Sequence, residues 1–169
     1  MVEVKLRQWK DSDFESFASM NSDPEVMRYL VPITIQKSRN LFDYIQEEMM
    51  ERGWGVWAVE VDSIFAGMVG LHVPKWQMPF TPCTEVLWRF KHEFWGRGIA
   101  YQTAKQAIDY GFQQANLKEI VTFTTPLNNR SIRLIERLGF KRDNKSDFDH
   151  PEVPEDSPNK HHIFYRLKK

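Results

Sequence analysis

Only one cysteine, Cys83, occurs in the 169 residues, so an internal disulfide framework is excluded. No apolar run is long enough to span a bilayer, and the N-terminus lacks the charged, apolar and small-residue order of a secretory leader, so a cytoplasmic chain is expected. Charge of one sign is missing too. The 23 Lys and Arg balance the 23 Asp and Glu, and no global field draws the chain to nucleic acid or to an anionic membrane. Repeats and low-complexity tracts are absent. The Gly-x-Gly-x-x-Gly spacing is absent as well, with no matching lysine to grip a phosphate, which speaks against a dinucleotide- or P-loop-type nucleotide-binding module. What is present is 41% hydrophobic and 27% charged residues, an ordinary globular composition, at a length that suits one domain over 1–169.

One stretch organises the rest: EVLWRFKHEFWGRGIA, Glu85 to Ala100. A strand-like run, Thr84 to Phe90, leads through a short polar segment to Trp95-Gly96-Arg97-Gly98-Ile99-Ala100, and an amphipathic helical pattern follows. Glycines at a strand-to-helix junction let backbone amides approach a ligand, and the free N–H groups of a first helical turn attract anions such as a pyrophosphate. Many such turns only need a tight bend, which is the competing reading.

Around it, Val4 to Trp9 alternates as a first strand, and Asp11 or Ser12 can cap a helix carrying Phe14, Phe17 and Ala18. Ser22-Asp23-Pro24 suits the start of a second short helix buried through Val26, Met27 and Leu30, before Pro32 breaks it. Thr34 begins a longer helix that Gly53 ends. Trp54 to Val61 is apolar at both parities, the pattern of a strand covered on both faces. A two-residue turn at Asp62-Ser63 returns the chain as Ile64 to Val73, where Gly67 and Gly70 mark bulges or close packing. Residues 74–83 form an irregular connection with Trp76 and Phe80 on it. After the glycine turn, Ala100, Ala104, Ala107, Ile108 and Phe112 share one helical face. Ile120 to Thr125 is a strand, and Asn128 to Leu138 a helix buried through Ile132, Ile135 and Leu138, with Arg130, Arg133 and Arg137 on its other face. A solvated charged face is the plain reading of those arginines. Residues 141–160 are polar and without a periodic pattern, and Ile163 to Leu167 closes the sheet. The fold expected is a mixed α/β sheet with helices on both faces.

The stretch at 95–100 resembles the acetyl-CoA-binding motif of the GNAT N-acetyltransferase superfamily, usually Gln/Arg-x-x-Gly-x-Gly/Ala. Trp95 in its first place is similar to the branch that acetylates ribosomal-protein N-termini, the RimJ/RimL type. Asn128-Asn129-Arg130-Ser131 and the following Leu134-Ile135-Glu136-Arg137-Leu138-Gly139-Phe140 resemble that branch's N-x-x-S…LEKLGF helix, while Thr81 to Arg89 and Asp147 to Pro151 look like a bacterial subgroup. The resemblance implies a mostly antiparallel twisted sheet splayed at the acetyl-CoA site, with acetyl-CoA as co-substrate and no metal. It also implies an amine acceptor, a protein N-terminus or a small molecule, attacking directly in a ternary complex on a monomer or homodimer, with the helical region before Gly53 as part of the acceptor wall. A silent CoA-binding domain serving as sensor or interaction module is the alternative.

Acetyl transfer to an amine needs a base for the ammonium, a donor for the thioester oxygen and, usefully, an acid for the departing thiolate. Glu85 lies ten residues before Trp95, where many GNAT enzymes carry a glutamate base, and among apolar neighbours its pKa can rise. A structural glutamate is the alternative. The resemblance assigns CoA to Trp88, Arg89 and Phe90 on the strand, to Trp95, Gly96, Arg97, Gly98, Ile99 and Ala100 on the turn, and to Asn128 and Ser131. One arginine among Arg130, Arg133 and Arg137 could reach the 3′-phosphate of CoA, as the alternative to a solvated face. Free amides for pantetheine and the oxyanion are expected around Arg89 and Phe90. Ser131 is the candidate acid, since Ile135 stands where many relatives carry a tyrosine; a helix-start hydroxyl bonded to local backbone is its other reading. Trp76, Phe80 and His150 are candidate acceptor contacts, and simple packing onto the sheet is the alternative for the two aromatics. Cys83 fits a small buried hydrophobe better than a nucleophile. Asp147, Asp149, His150, His161 and His162 have metal-ligand chemistry without a metal-site spacing.

Overall fold

Strands that are apolar at both parities must be covered on both sides, and the helices of this chain divide themselves accordingly. The computed structural model describes residues 2–169. The strands are β1 (Val4–Arg7), β2 (Val56–Val61), β3 (Ile64–His72), β4 (Glu85–Phe90), β5 (Glu119–Thr124), β6 (Lys141–Arg142), β7 (Phe148–Asp149) and β8 (His161–Lys168). The α-helices are α1 (Phe14–Ser22), α2 (Ile35–Arg52), α3 (Ile99–Gln113) and α4 (Asn129–Arg137). Sheet order is β1-β2-β3-β4-β5-β8-β6, with β7 also on β8. Every pairing is antiparallel except β4 with β5.

One face is sealed by α1 and α2. Phe17 and Phe42 are fully buried against Trp9, at ring separations of 5.5 and 5.3 Å, over Val56, Ala58 and Met68. Burying each such ring contributes about 1.5–3 kcal/mol. The opposite face takes α3 and α4, with Ala104 and Ala107 letting α3 sit close to Val59 and Val69. Gly111 rather than Phe112 completes that face, because a Cβ there would crowd Ile120 at 2.9 Å. Thr34 caps α2, its hydroxyl accepting the Lys37 N–H at 3.2 Å, and Gly53 ends it in the left-handed region. Asp62 and Ser63 both take positive φ and make the tight turn between β2 and β3.

Four expectations need correction. The first strand stops at Arg7, because Trp9 leaves the sheet edge to bury its ring and donate its indole N–H to the Val56 carbonyl at 2.8 Å. Neither Asp11 nor Ser12 caps α1. Asp13 holds the N-cap position without a side-chain bond to the helix, its carboxylate instead accepting the Lys10 N–H and both terminal nitrogens of Arg7. The helix expected after Pro24 is a series of turns: Asp23 accepts from Met27, and Leu30 then bonds Met27 instead of continuing. Its apolar face is too short, since Leu30 stays 40% exposed. Residues 141–160 contain two short strands and a 3-10 turn, tied down by Arg166 to Asp143 and Arg142 to Asp147. Ion pairs leave no hydrophobic period to read.

Candidate active site

The site begins where the sheet fails to close. Along β3, β4 keeps register from Gly67↔Phe90 to His72↔Glu85, whereas along β5 the only registered pair is Glu85↔Val121. The Val121 N–H donates to the Thr84 carbonyl at 2.9 Å, and beyond that point the two strands diverge. Backbone groups alternate in direction along a strand. Lys91 donates to Ala66, so Arg89, two residues back in the same register, also turns its amide to β3. Val86, Trp88 and Phe90 therefore face the gap. The Val86 carbonyl is bonded by the Thr122 hydroxyl at 3.1 Å, and the Phe90 carbonyl by the Trp95 indole N–H at 2.9 Å. The N–H groups of Trp88 and Phe90 are left facing the gap. Of the amides expected to be free, Phe90 fits; Arg89 does not, and Trp88 takes its place.

Gly96 and Gly98 adopt φ of +74 and +75°, which an L side chain rarely takes, and Gly98 immediately precedes α3. No side chain caps that helix start, so the amides of its first turn stay available. They open on a groove of about 360 Å³ shared with Trp95, Tyr101, Arg130, Arg133 and Arg137. Arg130 lies over the Trp95 ring at 4.1 Å, and Arg137 over Tyr101 at 4.1 Å. The three arginines recur at i, i+3 and i+7 on α4, so this charged face forms one wall of the groove. A pyrophosphate and a further phosphate fit this donor set.

A cavity of about 430 Å³ continues from the groove along the open edge of β4. Glu85, Arg89, Phe123, Asn128, Ser131 and the Glu25–Leu30 turn line it. Burial, with the charge of Glu152 added, pushes the Glu85 carboxyl up to about 8. A carboxylate so placed takes up a proton readily near neutral pH. Ser131 donates its backbone N–H to the Asn128 side chain at 3.2 Å. Asn128 therefore caps α4, and the Ser131 hydroxyl is not engaged in that cap. Ile135 is buried beneath it.

Trp76, Phe80 and His150 stand one layer back. Trp76 lies 5.8 Å from Phe123, 5.7 Å from Phe148 and 5.3 Å from His150, in an aromatic cluster that supports the cavity wall through Phe123. Burial and the neighbouring His162 and Lys160 push His150 down to about 4, so it is neutral near pH 7. Burial raises the Cys83 thiol to about 11, which leaves it protonated and poorly nucleophilic. Asp147 is taken by Arg142, and Asp149 by His161 at 3.1 Å. The Glu25–Leu30 turn, in the region that the resemblance assigns to the acceptor wall, lines the cavity. The sequence reading missed Asn21, whose buried amide holds Arg89 at 2.6 Å.

Residues 3–141 match the family model of the acetyltransferase (GNAT) domain. The chain is 30% identical to the Bacillus subtilis protein YkkB over 143 residues, covering 81% of each chain. Two solved structures show the same fold. Spermidine N-acetyltransferase from Vibrio cholerae, in complex with CoA and spermine, superposes with a TM-score of 0.75 at 18% identity, covering 98% of this chain and 95% of that one. RimL, a ribosomal L7/L12 α-N-protein acetyltransferase in complex with CoA, gives 0.76 at 13% identity, covering 98% and 93%.

Proposed function

This chain belongs to the GNAT acetyltransferase family, and we propose that it moves the acetyl group of acetyl-CoA to a primary amine by direct attack within a ternary complex. The observation that carries this is the position of Glu85, a half-buried carboxyl with a raised pKa at the one place where β4 leaves its β5 neighbour. Glu85 takes the ammonium proton, and the amine then forms the new C–N bond as the C–S bond breaks. The Trp88 and Phe90 amides, facing the gap, stabilise the oxygen that becomes negative. Ser131 supplies a hydroxyl for the departing thiolate.

The α3 amides with Gly96 and Gly98 receive the pyrophosphate, and Arg130, Arg133 and Arg137 offer charge to the remaining phosphate. Trp95 and the Asn128–Ser131 segment support membership of the RimJ/RimL-like branch, and an acceptor that is a protein N-terminus or a small amine. Balanced charge, a lone thiol and the use of acetyl-CoA support action in the cytoplasm.

Calorimetry with acetyl-CoA tests the reading. Wild-type protein binds, and Gly98→Trp loses at least tenfold in affinity because its indole fills the groove. The open space around Gly98 limits the structural cost to its left-handed backbone, about 1–2 kcal/mol, so the thermal transition shifts by only a few degrees. Equal affinity in the two proteins would overturn it.

A further inference from the structure

Arg89 is a half-buried cation without an anion. Its side chain lies on the α1 and α2 face of β4 together with Glu85 and Leu87, while Val86, Trp88 and Phe90 point to α3. The guanidinium makes a single hydrogen bond, Nη1 to the Asn21 amide oxygen at 2.6 Å, and Nε, fully buried, donates to no described residue. Asn21 passes the contact on to the Ser38 hydroxyl at 3.1 Å, so the neighbourhood stays neutral behind it. Burial alone pushes the guanidinium down to about 10, and no carboxylate offsets it. Buried charges are ordinarily paired, because taking an ion out of water costs several kcal/mol.

The missing anion does not come from the groove at α3. The start of α3 and Arg137 line a groove that Arg89 does not line, and Arg130 and Arg133, which border both groove and cavity, project from α4 on the face of the sheet opposite α1 and Asn21. Arg89 lines the cavity that Glu85 lines, four residues further along the strand, about 13 Å at the backbone. Long side chains at both points can reach toward one another. The cavity therefore has a proton acceptor at one end and an unmatched fixed cation at the other.

We propose that the acceptor is an amine that also carries a carboxylate, with the amine at Glu85 and the carboxylate on the guanidinium of Arg89. This rests on the acetyl-transfer reading above. The planar fork of a guanidinium suits a carboxylate, which can take two parallel N–H bonds. A polycationic acceptor meets the same charge as repulsion.

Matched pairs of acceptors test this: ω-amino acids of increasing length against their carboxamides, and short peptides with Glu against Gln in second place, with spermidine as the polycation. Turnover is followed by release of CoA thiol. The same pairs are titrated into the protein–CoA complex by calorimetry, which reads recognition whether or not transfer occurs. In the wild type at least one acid is favoured over its amide about tenfold or more, chiefly in KM, and spermidine ranks below it. Arg89→Gln removes that preference, and Arg89→Lys restores part of it. The arm in which the preference appears tells a small molecule from a peptide.

Equal use or equal binding of acids and amides by the wild type would overturn the proposal. So would an Arg89→Gln variant that slows every acceptor alike, since that identifies Arg89 as a strut between β4 and α1. Absence of acetyl-CoA binding in the wild type strikes instead at the acetyl-transfer reading, and the acid–amide comparison is then made on the chain alone.

Discussion

The two edges of β4 carry the same six residues and behave as different materials. Toward β3 the edge is a closed ladder, pinned where Gly67 lets the β4 backbone come within what would be a side chain's own space. Toward β5 one pair forms, and the polar groups beyond it are met by a threonine hydroxyl, an indole and, at Trp88 and Phe90, an open gap. Rigid pairing on one side is what makes the unpaired side usable. An amide held by a ladder on its opposite edge points in a fixed direction and needs no reorganisation to receive charge.

The largest effect is expected from attacking the closed edge. In Gly67→Ala the new Cβ falls on the Arg89 carbonyl and within 2.8 Å of the Phe90 Cα, backbone atoms that cannot swing aside. We expect a loss of about 3 kcal/mol, read as a fall in Tm of roughly 6–12 °C. A variant that melts with the wild type would show that the ladder is softer than its register implies.

Glu85→Gln attacks the open edge and should separate stability from function. The variant loses about 10²-fold or more in kcat/KM near neutral pH, the usual scale for a lost general base. In the wild type the rate rises with pH until about 8, where Glu85 becomes ionised, and the variant loses that limb. Stability moves the other way. A carboxyl raised by burial above its unfolded value stabilises the fold fully below the unfolded pKa, and that contribution is lost as pH rises through about 8. The variant should therefore melt with the wild type near pH 4 and above it at pH 9. A variant that keeps the acidic limb would make Glu85 structural.

Ser131→Ala is the finest probe of the same edge. A CoA thiolate leaves with little assistance, so kcat should fall only about tenfold, about 1.4 kcal/mol, with acetyl-CoA affinity nearly unchanged. A fall in affinity at constant kcat would assign Ser131 to binding and the proton to water.

Local chemistry made much of this arrangement legible from the residues alone. Thr34 and Gly53 delimit α2, both parities of β2 announce cover on two faces, and Gly96 with Gly98 marks the start of α3. What stayed hidden depends on partners far apart in the chain. Arg89 meets Asn21 from 68 residues away, and no period along either segment reports that meeting. Arg130, Arg133 and Arg137 read as an exposed stripe until α4 is placed beside Trp95 and Tyr101. The 141–160 segment was opaque because charged pairs hold it, and an Asn159 side chain donating to the Arg28 carbonyl at 3.2 Å joins it to the turn at the cavity mouth. Trp76 and Phe80 show the reverse: aromatics that promise ligand contact serve as backing for Phe123.

The single parallel pairing in an otherwise antiparallel sheet has a further consequence. Antiparallel neighbours can be joined by a hairpin, but two strands running the same way require the chain to cross back over the sheet. Between β4 and β5 that return journey is made by α3, and its handedness is all but fixed by the twist of the strands. The helix must then begin at the end of β4 where the gap opens. Reversing the direction of β5 would remove the gap and the helix start together, so a single choice of connectivity delivers both halves of the site.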